Sequence, residues 1–282
     1  MTEHRLTAKN LEKYREYLFM EEHSKRTIEK YCHDVREFYK SLPKGKLVSK
    51  ERVLSWKEKL RKSGYAVATI NSMLVAVNGL CRFLGWTECC VKLLRQQRRI
   101  FRDKLLELTR KEYLRLLQAA KKKGRYRLML VMETLCATGI RISELRYVTV
   151  EAAREGRAVV SCKNKSRVII LPAKLCKKLL QYCEQRNIRS GTIFLSRGGN
   201  PLDRSNIWSE MKKLCGEAAV DPRKVYPHNF RHLFARAFYS AGHDLAKLAD
   251  ILGHSSIETT RIYIMESGAE HERLVSALGF IV

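Results

Sequence analysis

The sequence predicts a mainly α-helical protein of two domains, with a small β-hairpin in the second domain. Its 282 residues are enough for about two domains of ordinary size. Apolar residues recur at helical spacing from residue 11 to residue 83, and no alternating strand pattern competes there. Residues 157–161 and 167–171 have the composition of strands and flank a short basic turn at 162–166, which is typical of a hairpin.

Four or five short helices are predicted in the first domain, and four of them can be placed. Ser24 and Ser49 are favourable N-caps that precede the second and third helices, and Gly64 ends the third. Each helix has one apolar face, and these faces lie within residues 11–19, 28–38, 53–60 and 66–83. Together they predict a compact helical bundle.

A basic segment separates the two domains. Six of the fourteen residues in VKLLRQQRRIFRDK, positions 91–104, are Lys or Arg. We therefore interpret residues 96–106 as a linker between a first domain at 1–95 and a second at 107–282. Whether the linker is a solvated spacer or contacts the phosphates of a polyanion stays open.

The second domain begins with a capping box, in which Thr109 and Glu112 satisfy each other's backbone amides. The hairpin follows two helices, and further helices follow the hairpin. The predicted helices are 110–120, 125–138, 173–186, 204–217, 228–240, 244–251, 256–264 and a short last one near 269–278.

The charge of the chain points to a polyanionic partner. The 55 Lys and Arg residues exceed the 29 Asp and Glu residues, which gives a net charge of +26. Both parts of the chain contribute. Residues 1–103 carry 23 basic and 12 acidic side chains, and residues 104–282 carry the remaining basic and acidic side chains, again with an excess of basic ones. Nucleic acid is the expected partner of two such basic domains. The alternative is a charge that serves solubility alone.

The cysteines indicate a reduced, cytoplasmic protein. Their number, nine, is odd, and none forms a Cys-x-x-Cys pair, so we expect free thiols and no structural zinc. The N-terminus is polar, and no run approaches the length of a membrane span, so we expect neither secretion nor membrane insertion.

Several catalytic motifs are absent from the sequence. It contains no Walker A or G-x-G-x-x-G phosphate loop, no serine nucleophile elbow and no evident carboxylate cluster for two metal ions. The candidate chemistry is instead a group of basic residues and one tyrosine in the second domain. They are Arg141 after a helix-ending glycine, His228 and Arg231 three residues apart, His254 at another helix end, and Tyr263 nine residues later.

Each fragment is weakly specific alone, but the set resembles the tyrosine recombinase (phage integrase) family. The resemblance lies in ATGIRISEL, CKNKSRVIILP, HNFRH and LGHSSIETTRIYI, in that order, within residues 105–265. It extends loosely to 1–98. It implies the two-domain form without an arm-binding domain: a helical core-binding domain at 1–95 that binds DNA, and a mixed α+β catalytic domain at 107–282 with a C-terminal tail at 266–282.

The resemblance implies roles for the candidate residues. Tyr263 would attack a DNA phosphodiester and form a 3′-phosphotyrosyl link, with His228 as the general base. Arg141 and Arg231 would bind the non-bridging oxygens of the phosphate, and His254 would hydrogen-bond one of them. Neither a metal ion nor a cofactor is expected.

The family uses a hairpin lysine as the general acid for the leaving 5′-oxygen. We assign this role to Lys163, which follows the first strand, and Lys165 is the alternative. The turn here departs from the family, because it is shorter and lacks a glycine that members often carry after the first lysine.

The implied function is site-specific DNA recombination without metal or ATP. The implied partners are duplex DNA with specific sites and further copies of the chain in a tetramer, with accessory DNA-bending proteins as an option. The apolar tail would dock on a neighbouring copy or on its own domain. A type IB topoisomerase and a non-catalytic DNA-binding regulator are the alternatives. The target site, the element served, and the choice between integration, excision, inversion and dimer resolution stay open.

Overall fold

The computed structural model describes residues 3–95, 106–162, 165–196, 198–254 and 256–264. The chain divides into two compact units, 1–98 and 99–282. Most of the predicted basic linker, the predicted helix at 269–278 and the C-terminal tail lie outside the described residues.

The first unit is a bundle of four helices, as the sequence predicts. A single turn of 3-10 helix, Thr87–Cys89, follows them. The helices are α1 (Ala8–Met20), α2 (Lys25–Ser41), α3 (Lys50–Lys62) and α4 (Val67–Phe83).

Two serines begin helices in the first unit. The Ser24 side chain accepts a hydrogen bond from the Thr27 amide at 3.2 Å, and the Ser49 side chain accepts one from the Arg52 amide at 3.5 Å. Each bond satisfies an amide that has no partner within its helix. The two predicted N-caps are therefore confirmed.

A short strand pair in the first unit was not predicted. Strands β1 (His4–Arg5) and β2 (Leu47–Val48) pair antiparallel. The expectation that the first domain has no strands is wrong in this detail, because a two-residue strand is too short to create an alternating pattern.

Two asparagines of α4 hold the chain that follows the bundle. Asn78 donates to the Val91 carbonyl at 2.8 Å and accepts from the Val91 amide at 3.0 Å. Asn71 makes the same pair of bonds with Leu94, at 2.9 and 2.8 Å. The Asn78 pair is buried, whereas the Asn71 pair is partly exposed.

The described part of the second unit combines the remaining helices with one hairpin. Its hydrophobic core includes residues from most of these elements. Helices are α5 (Arg110–Lys122), α6 (Tyr126–Thr138), α7 (Val150–Glu155), α8 (Ala173–Gln185), α9 (Arg204–Lys212), α10 (Cys215–Ala218), α11 (Pro227–Gly242), α12 (Leu245–Leu252) and α13 (Ile257–Ile264); strands are β3 (Arg157–Cys162) and β4 (Lys165–Ile170).

The hairpin and two helices differ from the sequence prediction, since α7, which has six residues, was not predicted. Strand pairing runs from Arg157 with Ile170 to Cys162 with Lys165, so the turn is shorter than predicted. The helix expected at 204–217 is divided into α9 and α10, because the Leu214 amide bonds the carbonyl of Met211, three residues earlier. The predicted capping box of α5, at Thr109, is confirmed.

None of the helices in the described part of the chain is long and apolar enough to cross a membrane.

Replacing Asn78 with alanine removes both partners of the buried Val91 backbone groups. We expect Asn78→Ala to destabilise the first unit by about 2–4 kcal/mol, and the matched variant Asn71→Ala by less than about 1 kcal/mol, because water replaces its more exposed bonds. Hydrogen exchange of residues 67–95 and urea unfolding measure the difference. Equal destabilisation by the two variants would contradict this explanation.

Candidate active site

The predicted site residues other than Lys163 lie where helix ends of the second unit meet. Helix α6 ends at Gly139, whose φ of 63° is left-handed. A 3-10 helix, Ile142–Tyr147, begins directly after Arg141. His228 and Arg231 lie in the first turns of α11. Helix α12 ends at Gly253, and α13 follows.

Arg231 is the most enclosed charge of this group, since its residue is only 1% exposed. Its Nη1 donates to the Gly139 carbonyl at 2.5 Å, and its Nη2 donates to the Leu252 carbonyl at 2.6 Å. Burial, and then the charge of Arg141, lower its pKa to about 10, so it stays cationic at neutral pH. Within the described residues its Nε has no hydrogen-bond partner.

His254 is held as a neutral imidazole. Its Nε2 lies 2.9 Å from Nη2 of Arg231, and its Nδ1 lies 2.8 Å from Oγ1 of Thr260. Because a guanidinium only donates, Nε2 accepts, and the ring proton on Nδ1 is donated to Thr260. Burial, and then the charges of Arg231 and Arg141, lower the pKa of His254 to about 4.

Tyr263 points its hydroxyl at His228. The Tyr263 oxygen lies 2.9 Å from Nε2 of His228, and the tyrosine residue is 6% exposed. Its ring packs on His232, with centroids 4.2 Å apart, and the guanidinium carbon of Arg231 lies 5.7 Å from its centroid. A hydroxyl, a base and a cation therefore lie side by side.

Glu144 is the acidic residue of the site and is 3% exposed. It accepts from the backbone amide of Arg141 at 2.7 Å, from Nη1 of Arg141 at 3.1 Å and from Nη2 of Arg167 at 2.6 Å. Through these hydrogen bonds Glu144 buttresses the turn that carries Arg141.

Two glycines allow the helix ends to approach each other. A Cβ at Gly139 would lie 2.6 Å from Cε1 of Phe234, and a Cβ at Gly253 would lie 2.9 Å from Nε of Arg167. Both glycines also have positive φ, which other residues adopt with strain. These positions therefore require glycine.

The structure brings His228, Arg231, His254 and Tyr263 into one connected group, with Arg141 beside it. Lys163 lies outside the described residues, and the backbone of Lys165 pairs with Cys162 at the first position of β4.

Arg167 and Thr260 also belong to the site, although the sequence motifs did not single them out. A signal for Arg167 exists, since it lies two residues before the buried Ile169 in a strand, where alternation predicts an inward position. No comparable local signal marks Thr260.

A potential metal-binding group lies in the first unit. His4, Glu88 and Cys89 place ligand atoms within 4.8 Å of one another, although His4 and Glu88 already bond each other.

Comparison with known proteins places both units in one family. Residues 107–270 match the phage integrase family, and residues 11–88 match the N-terminal SAM-like domain of phage integrases. Tyrosine recombinase XerA of Pyrococcus furiosus is 30% identical over 270 residues, which cover 93% of this chain and 91% of that protein.

Solved structures share the fold. A lambda integrase dimer bound to a COC′ core site has a TM-score of 0.73 at 17% identity, covering 93% of this chain and 96% of that one. A lambda integrase tetramer bound to a Holliday junction has a TM-score of 0.72 at 18% identity, covering 90% and 76%.

The neutral state of His254 has a measurable consequence. Because its pKa is about 4 in the folded protein and 6.5 in an unperturbed chain, the unfolded chain binds more protons between these pH values. The contribution of His254 therefore lowers stability as pH falls from 6.5 to 4. We expect NMR of the DNA-free protein to report a neutral Nδ1–H ring at pH 6.

His254→Gln assigns the ring signal, and Thr260→Val is expected to shift the tautomer balance, because it removes the acceptor of Nδ1–H. A midpoint at or above 6.5 for His254 would refute the interpretation.

Proposed function

Because this chain belongs to the phage integrase family of tyrosine recombinases, we propose that Tyr263 is the nucleophile with which it recombines DNA at specific sites. The family makes the protein a site-specific DNA recombinase. The observation that carries the residue assignment is the hydrogen bond between the Tyr263 hydroxyl and Nε2 of His228.

In the proposed reaction the Tyr263 oxygen attacks the scissile phosphorus as its proton passes to His228. The bond from phosphorus to the 5′-oxygen breaks, so a 3′-phosphotyrosyl link and a 5′-hydroxyl form. The 2.9 Å separation is within the reach of general base catalysis. Since one ester bond replaces another, a 5′-hydroxyl from a second DNA strand reverses the step without ATP.

Arg231 and Arg141 are proposed to bind the non-bridging oxygens as negative charge develops on them. Support comes from the buried Nε of Arg231, which has no hydrogen-bond partner among the described residues, and from Arg141, whose side chain is 42% exposed. His254 orients Arg231 by accepting its hydrogen bond. For His254 to donate a hydrogen bond to the phosphate, its Nε2 must carry a proton. The negative charge of the phosphate offsets the charges of the two arginines and so favours protonation of His254.

Lys163 is proposed to give the proton to the leaving 5′-oxygen, and Lys165 stays the alternative. Both belong to the hairpin whose Arg167 reaches Glu144 at 2.6 Å, so the hairpin borders the site. Neither a metal ion nor a cofactor takes part in this proposal.

We assign DNA binding to residues 1–95, the linker to 96–106 and catalysis to 107–282. The net charge of +26 supports contacts with duplex DNA beyond the scissile phosphate.

By analogy with the lambda integrase tetramer, we propose a tetramer on paired sites. Accessory DNA-bending proteins are optional partners, and a mobile element is the proposed substrate. We also propose a cytoplasmic location, which the free thiols support.

The first test is covalent capture. On a duplex that carries its recombination site and a nick beside the cleavage point, we expect the protein to form a covalent adduct in EDTA. Tyr263→Phe is expected to form none, because the nucleophilic oxygen is missing. Gel mobility of labelled DNA after denaturation measures the adduct.

Tyr239→Phe is the matched control, since Tyr239 packs against the same small cluster as Tyr263 but lies outside the proposed machinery. It should form the adduct normally. An adduct from Tyr263→Phe, or none from the unmodified protein on its site, would refute the assignment. Relaxation of supercoils without exchange between two sites would instead favour a topoisomerase.

A second test separates the two lysines. Replacing the bridging 5′-oxygen by sulfur creates a leaving group that departs without a proton. We expect Lys163→Ala to slow cleavage of ordinary DNA roughly 10²–10⁴-fold and to regain nearly the full rate on the sulfur substrate. Lys165→Ala should show no such recovery. The opposite pattern would assign the proton to Lys165, and recovery in neither variant would exclude both.

A further inference from the structure

Arg167 joins three elements of the site. It lies in β4 opposite Val160, and its side chain is 15% exposed. One arm of its guanidinium donates to Glu144 in the 3-10 helix, and the other donates to the carbonyl of Ile251 in α12. A single planar group thus connects the hairpin to two segments that carry proposed catalytic residues.

The hydrogen bond from Arg167 to Glu144 acts on the position of Arg141, because Glu144 also binds Arg141. The Glu144 side chain is 4% exposed, and a carboxylate so buried requires compensating partners. Arg167 is the more enclosed of its two cations, because the Arg141 side chain is 42% exposed. Without Arg167, Oε2 of Glu144 keeps only the Arg141 amide among its described partners, so the carboxylate is free to shift.

The arm toward α12 controls the turn that leads to His254. Carbonyls in the last turn of a helix lack intrahelical partners and attract cations. Arg167 binds the carbonyl of Ile251, while Arg231 binds that of Leu252. The stem of Arg167 also fills the space over Gly253, the residue before His254. Arg167 and Arg231 therefore cap the same helix end together.

We propose that Arg167 is a positioning residue for recombination, which holds Glu144 and the end of α12 so that Arg141, Arg231 and His254 face one phosphate. It acts through these residues and contacts no reacting atom. A lysine cannot replace it fully, because one ammonium does not span two acceptors in a fixed fork. This inference rests on the proposed roles of Arg141 and Arg231.

The test compares two DNA substrates under single-turnover conditions. In a methylphosphonate, a methyl group replaces one non-bridging oxygen of the scissile phosphate and removes its charge. Correctly placed arginines then matter less, because less negative charge develops between them. We expect Arg167→Met to slow adduct formation about 10–100-fold on phosphate, and by less than about 5-fold on methylphosphonate, with unchanged DNA affinity. A purely structural defect would slow both substrates equally.

Two controls fix the interpretation. Arg141→Ala calibrates the assay, because it should also slow adduct formation less on methylphosphonate than on phosphate. If it does not, the proposed role of Arg141 fails, whatever Arg167 does. Arg157 belongs to the same hairpin, and its side chain is 68% exposed. Arg157→Met should therefore react like the unmodified protein.

Arg167→Lys keeps the charge and guards against loss of folding. Since Arg167 acts through Arg141 as well as through the end of α12, the double variant Arg141→Ala, Arg167→Lys should be slowed by less than the product of the two single slowings. The proposal would be overturned if the slowings of the two single variants multiply in the double variant, or if Arg167→Met slows both substrates equally. It would also be overturned if weaker DNA binding explains the slower rate, or if Arg167→Met reacts at the normal rate.

Discussion

The burial of the Arg231 guanidinium is the constraint on which the site depends. An isolated buried charge is strongly unfavourable, so its hydrogen bonds must be supplied by the fold. Two of its acceptors, the carbonyls of Gly139 and Leu252, belong to the ends of α6 and α12, and the third is His254. Helix ends offer such carbonyls because these groups have no partner within the helix. The cation that would stabilise a phosphate therefore also holds α6, α11 and α12 together.

The charges of the site follow from this burial. Arg141 and Arg167 lie close to Arg231, and Glu144 accepts hydrogen bonds from the first two. Burial, and then the excess of positive charge, lower the pKa of His254 and keep it neutral in the DNA-free protein. A phosphate that gains negative charge during reaction is the group that such a site stabilises best. In the proposed function, the rest of the net charge of +26 interacts with the other phosphates of the duplex.

Much of the fold could be predicted because its signals are local. Helical spacing and the caps at Ser24, Ser49 and Thr109 act within one turn, so the sequence placed these helices well. Strands β1 and β2 were not predicted, because they are two residues long and are separated by some forty residues in the chain. The break between α9 and α10 escaped too, since apolar spacing continues through it.

For the site, the sequence by itself determined which residues to consider: the motif order singled out Arg141, Arg231, His254 and Tyr263, and the glycines that end their helices. Only the tertiary structure decided that Arg231 is buried, that His254 is a neutral acceptor, and that Arg167 joins the group. The reason is that these properties depend on partners far away in the chain, such as Gly139, which lies 92 residues from Arg231. Spacing within a motif reports local geometry, whereas burial and protonation are set by elements that meet only on folding.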